Sequence, residues 1–498
     1  MRKLATAAFS FAVAVFFSRY ILPYDWLLFC GAAAAVLSLA GLLLRGHARL
    51  RITVAFLSLA AGLVWSWSYT ALFITPSLRL HGDTATVRAV VTDYSAARAA
   101  RGYRVDGTIR CDQGNDIGAR IYYYHETALE PGDIIEFTAL FRRTEGVDTG
   151  ERIDALSARG AFLAAYVSGE ITVVGAEGKL RFLPKKIAES IANMIDKLYP
   201  DDVSKFMKAL LVGKRDDLFR DTATTASLSG SGIIHIVSIS GMHISFLMGF
   251  LALLVRNKRL FAFVGIPVLL LFMAMTGFTP PVTRAGIMQI FLICAPIFRR
   301  ERDSVTSLAA SLLVLLLANP YSCASAGLQL SFAATLGIVL FTGKINSAIT
   351  DALRDTKFYR KKLSKAVITF ITSNLATTTG ALVFTIPLTA VHFGYVSLAA
   401  PLTNLLTLWA VSLAFPIGLV TSIIGSIFLP AGVIAAYPVA LAARYIMTVA
   451  RTLSAIPYSV IYSSNSLLMF WLAYVYVIFI SMPLFRARPR QYVYPLCI

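Results

Sequence analysis

Of the 498 residues, 57% are hydrophobic and only 15% are charged, and the mean hydropathy is positive; this exceeds what a soluble core needs and excludes an ordinary soluble globule. The formal charge of +19 is not in itself a nucleic-acid footprint, because residues 78–183 carry 13 Lys and Arg against 15 Asp and Glu. The excess sits in short basic clusters beside apolar runs, where it fixes membrane orientation by staying on the cytoplasmic side, and the five cysteines show no spacing typical of a metal site.

A polytopic α-helical membrane protein is therefore expected, with about twelve spans of roughly 20 residues. Three fall in residues 1–77, at about 4–22, 26–44 and 52–74, the first read as an uncleaved anchor. Hydropathy then collapses over residues 78–178. Short alternating runs at 84–92, 103–110, 119–124, 134–141 and 161–168, separated by turn residues such as Pro131-Gly132-Asp133, predict a small extracytoplasmic β domain of about five strands. Its size fits an OB-type barrel, and the strand pattern alone also permits a sandwich.

Residues 179–232 read as amphipathic interface helices: between 185 and 218, Ile187, Ile191, Met194, Ile195 and Leu198 recur at helical spacing among charges. Residues 233–498 supply the nine remaining spans, at about 233–255, 260–277, 282–298, 304–318, 325–343, 367–388, 397–413, 414–429 and 466–484. Residues 344–366 form a basic cytoplasmic segment that suits contact with emerging DNA, or anionic lipid and topology alone. Residues 430–458, with Pro438, Arg444, Arg451 and Pro457, read as an outer amphipathic helix. Under this count both termini are cytoplasmic, residues 78–232 lie outside, and all six basic clusters fall inside.

Polar groups at membrane depth are costly and usually face a bundle interior or a wet cavity. On a continuous helix His235, Ser238 and His243 would share one arc, with Ser240 beside them and Gly241 admitting a close neighbour; an unpaired imidazolium there would be desolvated, so both histidines are expected to be neutral hydrogen-bonding groups. Arg284 is the lone charge of its span, just after Pro280-Pro281, and its planar fork suits phosphate oxygens. Gln329, Asn374 and Asn404 each place an amide in a span, either as links between helices or as contacts to a passing chain. These nine residues are the channel-lining candidates. No metal or cofactor is expected, since His235 and His243 lie two turns apart without a nearby carboxylate or thiolate.

Four blocks in order carry a resemblance: His235 with Ser240-Gly241-Met242-His243; Thr276-Gly277-Phe278-Thr279-Pro280-Pro281 running on to Met288; Asn319-Pro320-Tyr321 leading to Gly327-Leu328-Gln329-Leu330-Ser331-Phe332; and His392-Phe393-Gly394-Tyr395-Val396-Ser397 leading to Pro401-Leu402-Thr403-Asn404. Together they resemble the ComEC-type competence family. The resemblance implies a channel in the bacterial cytoplasmic (inner) membrane that takes up single-stranded DNA during natural transformation, and an OB fold for the outer domain. On that reading Arg98, Arg101, Tyr103 and Arg104, with Tyr122 on a strand, are DNA-contact candidates, because bases stack on aromatic rings while arginine tracks the backbone. Membrane lipid, a separate nuclease, a cytoplasmic ATPase and a DNA receptor are the partners implied.

Many members of that family continue into a metallo-β-lactamase-like domain. This sequence ends at Ile498 without a His-x-His-x-Asp-His cluster, so the channel core without a nuclease is expected, and no enzymatic activity. The reading from a different class is a small-molecule or lipid transporter, or a membrane scaffold with an outer binding domain, which predicts a closed midplane pocket and no response to oligonucleotides.

Overall fold

A computed structural model describes residues 3–41, 47–97, 102–110, 116–124, 129–144, 154–299, 301, 303–353 and 362–462. The chain divides into two units. The first comprises Met1–Thr225, His235–Gln329 and Ala410–Ile446, and the second Ala226–Ile234, Leu330–Trp409 and Met447–Ile498.

The first unit opens with α1 (Lys3–Tyr20), α2 (Leu27–Ala40) and α3 (His47–Tyr69), the last continuing through a π-helical turn at Thr70–Ile74 into α4 (Thr75–Leu78). Small residues bring α1 and α3 together. A Cβ on Gly62 would lie 2.8 Å from both Ala14 Cβ and Phe11 O, a separation that only glycine tolerates at this crossing.

The polar segment that follows folds as a closed five-stranded barrel. Its strands are β1 (Thr84–Val91), β3 (Tyr103–Ile109), β4 (Ile117–Tyr123), β5 (Asp133–Arg143) and β6 (Leu163–Val167), with β2 (Ala96–Ala97) and β7 (Thr172–Ala176) as short additions. The ring runs β1-β3-β4-β6-β5 and closes by β1 on β5. All neighbours in it are antiparallel except β4 and β6. Alternation explains closure: Val105, Gly107 and Ile109 face inward from β3 while Arg104, Asp106 and Thr108 face out. The core, led by Ile121, Ile135, Phe137, Phe141 and Leu163, is continuous with Tyr69 and Ile74 at the end of α3. The barrel is thereby seated on its own helices. A short helix, α5 (Asp154–Ser157), connects β5 to β6.

Next come α6 (Lys179–Leu198), α7 (Asp201–Val212), α8 (Asp216–Arg220) and α9 (Thr222–Gly230). Leu180 and Leu183 of α6 are exposed, as an interface helix requires. In contrast, α7 buries Phe206, Met207, Leu210 and Leu211 completely, with Met207 and Leu211 against Gly418. The other side of α7, with Asp201, Asp202 and Lys205, is exposed. After these stand α10 (Ile234–Val237), α11 (Gly241–Leu254), α12 (Lys258–Met275), α13 (Pro280–Cys294), α14 (Ser304–Ala318) and a 3-10 turn at Pro320–Ala324.

The second unit holds most of α15 (Ala326–Leu353), all of α16 (Lys362–Phe393), the start of α17 (Ala400–Ile427) and the end of α18 (Leu429–Ser454). Strands β8 (Tyr395–Ser397) and β9 (Val460–Tyr462) pair antiparallel. Gly337 of α15 and Gly380 of α16 repeat the small-residue crossing, a Cβ on Gly337 falling 2.2 Å from Gly380 O.

The protein is thus mostly helical with one β barrel. Among the described residues six helices are long and apolar enough to cross a membrane: Ala48–Ser77, Lys258–Met275, Ala326–Leu353, Lys365–Phe393, Ala400–Ile427 and Leu429–Ser454. Four shorter apolar helices, Tyr24–Leu39, Gly241–Leu254, Pro280–Cys294 and Ser304–Ala318, accompany them. Three expectations change. The single span at 233–255 is two helices with a break, the pair at 397–413 and 414–429 is the one helix α17, and the surface helix at 430–458 becomes α18, which has the length and composition of a span. The span at 466–484 lies outside the described residues.

Candidate functional site

The break between α10 and α11 is set by Ser238-Ile239-Ser240. Ser240 takes an extended conformation (φ −127°, ψ 178°) at the N-cap of α11, and its backbone N–H donates to His243 Nδ1 at 3.0 Å. A side chain three residues into a helix reaching back to the cap is a capping-box arrangement, here with imidazole as acceptor. With Nδ1 accepting, the proton of the neutral ring sits on Nε2. That atom is buried without a hydrogen-bond partner, and the ring is fully enclosed, edge-on to Phe415 with centroids 4.9 Å apart.

This corrects the expected common face. His235 is exposed on α10, whereas His243 is sealed in α11, so His235, Ser238 and His243 do not share one helical arc. Periodicity failed here because it presumes continuous helix, while Ser-x-Ser-Gly supplies a cap that ends one helix and starts another.

Arg284 lies against the same break. A Cβ on Gly241 would stand 2.6 Å from Arg284 Nη2, so the guanidinium packs over the first turn of α11. Its Nη1 reaches Met288 Sδ at 3.3 Å, and only 9% of the residue is exposed. It is enclosed by protein and is not a snorkelling residue. Pro280 and Pro281 do not interrupt a span; they occupy the first positions of α13, where a missing N–H costs nothing. Gly277 and Phe278, both with positive φ, turn the chain just before. The neighbouring Thr283 Oγ1 is a second buried polar atom without a hydrogen bond. Gly327, from the third sequence block, is close too, its Cβ position 3.5 Å from Pro281 Cγ.

The break is tied to the barrel through arginines. Arg215, between α7 and α8, donates from Nη1 to Ser238 Oγ at 3.1 Å. Beside it Arg104 of β3 pairs with Asp216 at 3.0 Å. Arg120 of β4 forks onto Asp106 with bonds of 2.7 and 3.0 Å. Burial lowers the basicity of Arg215, with Asp216 opposing and Arg104 adding to the shift. Arg159 keeps an exposed surface in a dense surround; desolvation and then the charges of Arg120 and Arg215 lower its basicity as well. Four guanidiniums near two carboxylates form a positively charged strip from the barrel toward Ser238. Sequence reading picked Arg104 alone from this set. Arg120 is buried on β4 against Asp106, and Arg159 and Arg215 are loop residues that only the fold brings in.

The aromatic candidates fare differently. Tyr122 is stacked on Tyr166 at 5.2 Å and is only 5% exposed, so its ring is spent on packing; Arg142 lies over Tyr166 at 5.8 Å. Tyr103 stacks on Tyr123 at 5.6 Å. Tyr124, by contrast, is 70% exposed. Arg98 and Arg101 lie outside the described residues.

Gln329 donates to Cys323 O at 2.9 Å and Tyr20 Oη at 3.2 Å, and so ties the start of α15 to the preceding turn and α1. In the second unit Asn374 donates to Phe370 O within its own helix at 2.8 Å. Asn404 is buried in α17 with Oδ1 unpaired. Ser397 donates to Gly230 O at 2.8 Å, and Gly232, with positive φ, sits where its Cβ would meet Ala400 Cβ at 2.6 Å. Gly230 and Gly232 therefore interlock with the fourth sequence block. Among the described residues no three His, Cys, Asp or Glu side chains converge as metal ligands.

Comparison with known proteins agrees with these blocks. ComE operon protein 3 of Bacillus subtilis (strain 168) is 28% identical over 158 residues, which is 31% of this chain and 20% of that protein; the match thus spans about a fifth of the relative's length. No solved structure matches. The family model described as Competence protein matches residues 210–489, more than half of the chain and all four blocks, so the chain belongs to the Competence protein family and is of the ComEC type.

Proposed function

We propose that the protein is a channel for uptake of single-stranded DNA across the bacterial cytoplasmic membrane during natural transformation. The observation that carries this reading is the arginine strip from Arg104 and Arg120 through Arg215 to Ser238, ending beside the buried Arg284 and His243. Phosphates crossing a low-dielectric slab need a positively lined or hydrated route. The barrel acts as an OB-type receiving domain: its strand order and the parallel β4–β6 pair support that reading, and the outer face of β3 and β4 is the face such barrels use for single strands. Tyr124 is the exposed ring available for stacking on a base.

In this proposal both termini are cytoplasmic and residues 78–232 lie outside. The chain carries transport and works with a separate nuclease, a cytoplasmic ATPase and a DNA receptor. Gln329, bonded to Tyr20 and Cys323, holds the start of α15 to α1, whereas the amide of Asn374 is engaged within its own helix.

Binding of a fluorescent oligothymidylate to the purified full chain tests the strip. Affinity should fall with salt, and Arg104→Gln with Arg215→Gln should weaken it and lower the salt slope by about 1 per arginine. A small-molecule transporter or scaffold predicts no oligonucleotide binding at any salt, and that result would overturn the proposal.

A further inference from the structure

A short corner at residues 213–216, between α7 and α8, touches both the barrel and the α10–α11 break. Gly213 ends α7 with positive φ, and a Cβ there would lie 3.1 Å from Ile239 Cδ1. Arg215 donates to Ser238 Oγ in the same break. Asp216, the next residue, pairs with Arg104 of β3 at 3.0 Å. Adjacent residues of one corner therefore hold the break and the barrel at once.

The fastening on the barrel side is weak. The side chains of Arg104 and Asp216 keep 34% and 49% of their surface exposed, and an exposed ion pair contributes little. The helix that carries Asp216 is five residues long, too short to hold its shape alone, and Leu218 is its one buried residue. Its other ties are polar: Asp217 pairs with Lys208 of α7 at 3.1 Å, and Arg220 donates to Ala97 O at 3.3 Å. Arg215 lies over the ring of Phe219 at 5.6 Å, so its guanidinium moves with α8.

Asp216 occupies the group that an incoming strand needs. A carboxylate and a phosphodiester both offer paired oxygens to a guanidinium fork, so a strand reaching the outer face of β3 competes with Asp216 for Arg104. We infer that α8 is a latch: a DNA phosphate that takes Arg104 displaces Asp216, and the movement of α8 withdraws Arg215 from Ser238 and loosens the α10–α11 break. The strand favours the released form because Arg104 is free in it and a like charge has withdrawn. By the same linkage, a loosened break favours the strand on the barrel. The inference rests on the proposed passage of a strand along the arginine strip and adds that the route responds to its cargo.

Amide hydrogen exchange of the purified full chain, with and without saturating oligothymidylate, tests it. In the wild type the oligonucleotide should raise exchange over residues 236–241 by about 2–5-fold, the size of one exposed ion pair in an opening equilibrium. Asp216→Asn removes the competing charge. It should show the raised exchange without DNA, gain no more when DNA is added, and bind the oligonucleotide about 2–5-fold more tightly than the wild type. A merely structural Asp216 predicts binding that is no tighter. Exchange at 236–241 that stays unchanged while the oligonucleotide is bound, or an Asp216→Asn protein that binds no tighter, would overturn the latch and leave the uptake reading standing; an absence of oligonucleotide binding at any salt would overturn both.

Discussion

His243 carries two duties that pull on the same ring. Nδ1 completes the cap of α11 by accepting from Ser240 N–H, while Nε2 stays buried and unbonded. Truncation to alanine removes the acceptor and leaves space beside Phe415, at a cost of about 2–3 kcal/mol. Glutamine is a natural capping-box residue at this position and offers both an acceptor and a donor. His243→Gln should therefore melt within about 1 kcal/mol of wild type, and His243→Ala well below it, in detergent melts followed by fluorescence. Equal melting of the two variants would show that the cap is not what the ring supplies. At this scale polarity or smallness in apolar runs singled out His243, Arg284 and Gly241, which lie together at the α10–α11 break. The exposure of His235 and the stacking of Tyr122 on Tyr166 were not legible, because both depend on partners that lie far away in the chain.

Helix ends in this protein are built from side chains, and Asp221 shows how their strength depends on pH. Its carboxylate accepts from Thr224 Oγ1 at 2.8 Å and Thr224 N–H at 3.1 Å at the start of α9. These bonds, the side-chain one first, hold its pKa below the usual carboxylate value. A depressed folded-state pKa means that the stabilisation is complete above the ordinary carboxylate range and is lost as pH falls through the lowered value. Asp221→Ala should thus cost about 1 kcal/mol at neutral pH and nothing in strong acid; a penalty that does not change with pH would refute the cap. Strands were legible to within a few residues because period-two alternation and turn residues coincide along residues 84–167. Helix continuity was not. Hydropathy windows cut the 28-residue α17 into two spans, and they passed over the Ser238–Ser240 break, where polar residues too few to lower the average redirect the backbone.

At the scale of the whole molecule, residues of the blocks make contacts within each unit: Gly241 against Arg284 and Gly327 beside Pro281 in the first, and Ser397 bonded to Gly230 in the second. Their order in the sequence could be read directly, but the joining of the arginine strip to the α10–α11 break could not, since Arg159 and Arg215 have no periodic signal. The central claim is that a DNA strand passes from this strip by Arg284 into the cell. Protected, labelled single strand recovered inside a competent host that lacks its own copy measures it most directly. The account predicts that the wild-type gene restores import and that Arg284→Gln, present in the membrane at equal abundance, imports at least about 10-fold less, as expected for loss of one charged hydrogen bond to phosphate. Import that is undiminished by deleting the gene, or by Arg284→Gln, would contradict it.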